Sequence, residues 1–77
     1  MRPERIREAL RAVPFQPLNV YLSDGSVHHI PHPEFAFVTQ HQLIIASEPD
    51  RDGVFRRSKA VDPVHVTRIE PVAEPAV

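Results

Sequence analysis

The chain has no cysteine, no tryptophan, two glycines, one tyrosine and one methionine. Without cysteine there can be no disulfide, no thiolate zinc site and no thiol nucleophile, a composition that fits a reducing compartment. No apolar run is long enough for a membrane span or the core of a signal peptide, and the opening "MRPERIREALRAV" is charged throughout. The expectation is a soluble, cytoplasmic protein with no membrane contact. A large excess of either charge is also missing: the net charge is −1, with a pI near 6.5. That is a weak footprint for general nucleic-acid binding, which relies on a basic stripe to neutralise phosphates. No glycine-rich phosphate loop and no nucleophile elbow occur.

What the chain does have is proline, nine in 77 residues. At this length one domain is expected over 1–77, near the lower limit for an independent core. Such a core rarely supplies more than ~3–5 kcal/mol net, so small domains often add a metal, a disulfide or a partner subunit. Because proline is confined to the starts, edges and bulges of strands, it marks boundaries.

Pro3 suits a first helical turn. Ile6, Ala9, Leu10 and Val13 recur at helical spacing, with Glu4, Arg7, Glu8 and Arg11 on the other face at i,i+3 and i,i+4. A helix over residues 3–13 is expected, stopped by Pro14 and Pro17. It is too short to be stable alone and must lean on the rest of the chain. From 18 to 72 the pattern is β: Leu18, Val20 and Leu22 alternate with polar residues, and Asp24-Gly25 is a hairpin turn signal. A two-residue turn would put His29 on the face of Leu18 and turn Ile30 outward. A three-residue turn, with Gly25 left-handed, pairs Leu22 with Ser26 and puts His28 and Ile30 on the core face. The second register is preferred because it buries Ile30 opposite Leu18.

"EFAFVTQHQLIIAS" reads as a second hairpin turning near residues 40–42, "EPDRDG" as a polar loop, and "VFRRSKAV" as a further strand. Asp62 before Pro63 opens a single helical turn, and "TRIEPV" is a last strand centred on Ile69. Residues 73–77 read as a frayed tail. The expected order is a helix followed by five short strands. The expected class is mainly β with one N-terminal helix, in a small five-stranded SH3-like barrel.

"LNVYLSDG", with the N-terminal helix before it and the one-turn helix in "VHVTRIEPV" after it, resembles the Sm-like family over roughly Arg5 to Val72. Members of that family are SH3-like barrels, and its bacterial Hfq-type members are ring-forming RNA chaperones. The resemblance implies a homo-oligomer that binds single-stranded RNA. Where the family carries a lysine directly before a histidine, this chain has Val64 before His65, so only His65 matches. A second resemblance is to small bacterial proteins of no assigned activity that carry "PFxPFxIxLxDG", "HPEF" and "VTxIE". It implies that Pro14, Phe15, Pro17, Asp24, Gly25, His32, Pro33, Glu34 and Phe35 belong to a shared framework.

Three groups of residues are candidates for chemistry. His28, His29 and His32 lie within five residues and could form a metal-binding set. On a strand, however, His28 and His29 face opposite ways, and His28 and His32 would be ~13 Å apart at ~3.3 Å per residue. The alternative has His28 at the barrel edge, His29 in solvent, and His32 bonded to backbone or to Glu34. His32 and Glu34 could also be an acid–base pair, yet a barrel filled by its own side chains leaves little room for a substrate. "HPEF" then reads as a structural turn in which Pro33 sets the backbone, Glu34 caps and Phe35 anchors.

Arg51, Arg56, Arg57, Lys59 and Arg68 could converge on a rim, with Tyr21 or His65 offering a stacking face for single-stranded RNA. The same charges on an edge strand discourage aggregation. The combined expectation is a non-enzymatic β-module without cofactor, acting by self-assembly or by binding a protein or RNA partner. A ring that binds RNA and a metal-responsive protein stand as alternatives.

Overall fold

The computed structural model describes residues 1–72. The expected tail at 73–77 lies outside the described residues. The helix, α1, spans Pro3–Arg11, two residues shorter than the periodicity predicts. Ala12 is already extended (φ −59°, ψ 141°), and Val13, held out of the helical region by Pro14, is 95% exposed. Val13 is therefore not part of the apolar stripe, which consists of buried Ile6 with Ala9 and Leu10 against the core.

Six strands follow, not five: β1 (Leu18–Leu22), β2 (Val27–Ile30), β3 (Ala36–Val38), β4 (Leu43–Pro49), β5 (Phe55–Val61) and β6 (Val66–Pro71). The expected count of five is one short of the segments themselves: two hairpins and two later strands make six, and each is present. Pro33–Phe35 forms a single 3-10 turn, separating β2 from β3 and sending them into different sheets. The strands form two three-stranded sheets, ordered β2-β1-β6 and β3-β4-β5, and all pairings are antiparallel.

The first hairpin takes the three-residue-turn register. Leu18 pairs with Ile30 and Val20 with His28. The Leu22 amide donates to the Ser26 carbonyl (2.9 Å), and Gly25 is left-handed at φ +88°. Burial decides between the two registers, because only this one places Ile30, fully buried, against Leu18.

β4 runs on to Pro49, into the stretch predicted as loop, and the chain turns only at residues 50–54. There the Asp50 carboxylate accepts from the amides of Asp52 and Val54, both at 2.9 Å. Before β6, Asp62 accepts from the Val64 amide (3.0 Å) and starts the turn Pro63–His65. The core between the sheets and under α1 comprises Ile6, Leu18, Val20, Leu22, Ile30, Ala36, Leu43, Ile45 and Val66. No polar or charged residue is buried with them among the described residues.

Candidate functional site

The β1–β2 turn gathers polar groups because Asp24 folds back on its own hairpin. Its carboxylate accepts from the Ser26 amide (2.8 Å) and the Ser26 hydroxyl (2.6 Å), a local closure that short acidic side chains favour in turns. These bonds, the hydroxyl first and the amide second, hold the Asp24 carboxyl below its ordinary value of 3.8. Desolvation opposes them, and the fields of Lys59 and His28 add to them. His28 Nε2 lies 3.3 Å from the Ser26 oxygen. With its one proton committed to Asp24, that hydroxyl can only accept from the imidazole. The serine proton thus points at the carboxylate rather than at the histidine, opposite to the direction needed for a histidine to activate a serine.

The other histidines are dispersed. His29 is exposed and its Nδ1 pairs across the strand with Asn19 Oδ1 (3.1 Å). The His32 ring tilts against Phe35 at 5.8 Å, and Phe35 in turn meets Phe55 edge-on at 4.8 Å. Phe35 is half-buried against the core, whereas Glu34 is exposed. The bonds of that turn are backbone ones, from the Phe35 amide to the His32 carbonyl (3.1 Å) and from Ala36 to Pro33. Among the described residues no three His, Cys, Asp or Glu side chains are arranged to hold a metal ion.

The basic residues divide between β5, β6 and the turn at residues 50–54, which carries Arg51. Arg56 and Arg57 alternate across β5, so Arg57 and Lys59 share the face of Phe55 and Val61 while Arg56 lies on the other. Arg57 Nε is 2.8 Å from Glu48 Oε2. Arg68, on β6, is 2.8 Å from Glu70 Oε1, and its guanidinium lies 3.9 Å over the Tyr21 ring, its cross-strand neighbour. His65 Nδ1 is 3.4 Å from the Ser23 hydroxyl.

Tyr21 and Arg68 are thus brought together, but the ring face that could stack on a base is already covered by a cation. Two of the five rim cations, Arg57 and Arg68, face carboxylates, so less positive charge is free than the residue count implies. Sequence reasoning missed these pairings because Glu48–Arg57 and Tyr21–Arg68 meet only through strand pairing. The Phe35–Phe55 contact joins the interrupting turn to β5 and has no local signal either.

The margins of the sheets are the other notable feature. β5 pairs only with β4, and β6 only with β1. In β5, every residue from Arg56 to Ala60 is exposed, on both faces.

No protein-family model matches the chain, and no curated protein or solved structure matches it significantly. Among the described residues no helix is long and apolar enough to cross a membrane.

Proposed function

We propose that the chain is a non-enzymatic β-module of Sm-like or SH3-like type that works by self-assembly through its sheet margins. The carrying observation is β5: a seven-residue edge strand, free of proline, exposed on both faces and unpaired along one side. Such an edge is a template for a further strand. Pairing β5 with β5 of a second copy about Ser58 would set Arg57 opposite Lys59, and like charges directly opposed are destabilising. β6 is also free on one side and carries one charge of each sign, Arg68 and Glu70, so a register that sets Glu70 against the β5 cations meets no such penalty. Pairing of β5 with β6 of a neighbour is head-to-tail, and such a contact closes into a ring or runs on as a filament.

The barrel reading is supported by connectivity. Taken as one strand interrupted at Pro31–Phe35, β2 and β3 give five strands. The first of these pairs with the second and the last, and a single helical turn precedes the last.

The test is the absolute mass of nuclease-treated protein by light scattering behind a sizing column. An assembly of about five to seven subunits is expected if the chain closes head-to-tail as an Sm-like ring. A monomer at every concentration overturns self-assembly. A second reading, a ring that binds single-stranded RNA, is favoured by Arg56, Arg57 and Lys59 lying together on the same edge strand. It predicts binding that weakens steeply with salt and is lost in R56A, R57A and K59A. Absent or salt-insensitive binding removes it.

A further inference from the structure

Beside α1, on the side of its sheet opposite β5, is a groove of about 290 Å³ lined by Arg7, Leu10, Arg11, Pro33, Phe37 and Val38. Three observations about it converge. Phe37 is 57% exposed, an aromatic left in water on the wall of a concave site. Arg7 and Arg11 lie one helical turn apart along the same groove. Neither has a carboxylate partner among the described residues; the ion pairs there are those of Arg57 and Arg68. Glu4 and Glu8 carry the i,i+3 and i,i+4 spacing for helical pairs but do not close them.

The charge is also segregated. Within Arg2–Arg11 there are four arginines and two glutamates, a net of +2. Set against the whole-chain value of −1, that leaves −3 for the rest. The groove's charged lining, Arg7 and Arg11, is wholly positive and sits on the positive segment of a chain whose net charge is −1.

We propose that this groove binds an acidic, extended segment of a partner protein with the pattern acidic–apolar–acidic. Arg7 and Arg11 are separated by ~6 Å along the helix axis, four residues at ~1.5 Å each. Alternate residues of an extended chain are ~6.6 Å apart and point the same way. Two carboxylates at i and i+2 thus match the two guanidiniums, a geometry suited to charge-assisted and bidentate bonds. The residue between them points to the opposite wall, where Phe37 and Val38 offer apolar contact. The volume, at the small end for ligand sites, takes one bulky side chain rather than a folded surface. β3 and β5 flank β4 on opposite sides, so pairing at β5 leaves the groove open and the two proposals stand or fall separately.

The experiment is selection from a random linear peptide library on the immobilised full chain. Fluorescence anisotropy then measures the enriched peptides, with single-stranded poly-uridine as a parallel probe. Enriched peptides are expected to carry the acidic–apolar–acidic pattern and to lose about tenfold or more in affinity when Arg7→Gln and Arg11→Gln are combined. Phe37→Ser should weaken them while leaving the circular dichroism spectrum unchanged. No enrichment, enriched peptides without the pattern, or binding indifferent to the arginine changes overturns the proposal. So does poly-uridine binding that depends on the two arginines while the peptides do not bind.

Discussion

Asp24 couples the first hairpin to pH. Its carboxyl titrates below 3.8 in the folded chain because the Ser26 hydroxyl and amide bond its charged form. A carboxyl depressed by folding contributes stability that is present above its unfolded value, about 4, and is lost as pH falls through the folded one. In Asp24→Asn that increment is absent at every pH. The loss of stability on acidification below about pH 4 should be shallower than in the parent, read as urea midpoints at pH 7 and pH 3. Equal slopes would sink this account.

Glu48 poses the opposite problem. It sits in β4 with φ 56°, a conformation that costs an L-residue about 1–2 kcal/mol. Glycine would relieve that strain but add about 0.5–1 kcal/mol of unfolded-chain freedom and forfeit an exposed ion pair of about 0–1 kcal/mol. These terms nearly cancel. Glu48→Gly is expected to unfold close to the parent in urea. Glu48→Val, β-branched at positive φ, should unfold clearly earlier despite valine's preference for strands. Asp24-Gly25 announces its turn in sequence, whereas a glutamate with positive φ inside a strand carries no such signal.

Among the elements, the Pro63–His65 turn shows how a short piece sets a long-range contact. Asp62 accepts from Val64, and the turn it starts presents the His65 carbonyl to the Ser23 amide at 2.8 Å. This fastens the end of β1 ahead of its pairing with β6. Asp62→Ala should cost about 1 kcal/mol, by analogy with helix caps. It should also speed hydrogen exchange at Ser23 more than at Leu18, which lies at the far end of β1. Uniform acceleration would mean that the cap acts only on global stability. The Asp-Pro signal was legible because capping is local chemistry. The helix ends two residues before the periodicity predicts because Val13 fits the apolar period while Pro14 overrides it.

For the whole molecule, the small core is the governing fact. Ile30 is fully buried, and isoleucine-to-alanine in a core costs about 2–5 kcal/mol, comparable to the ~3–5 kcal/mol that a domain of this size commands. Ile30→Ala is therefore expected to be largely unfolded at low concentration, and Ile30→Val, at about 0.5–1.5 kcal/mol, to remain folded. If self-assembly contributes to stability, the parent's Tm rises with protein concentration. A concentration-independent Tm, together with a folded Ile30→Ala, would show that the core suffices alone.

Period, proline and turn chemistry by themselves determined the helix, the strand sequence, the register of the first hairpin and the Asp62 turn, because each is written in residues close along the chain. Only the tertiary structure decided that the strands on either side of "PHPEF" enter different sheets, that Glu48 occupies Arg57, and that Arg68 covers Tyr21. It also decided that Arg7 and Arg11 flank an exposed phenylalanine. These relations join residues from different elements, and which elements meet is set by how one small core closes over all of them.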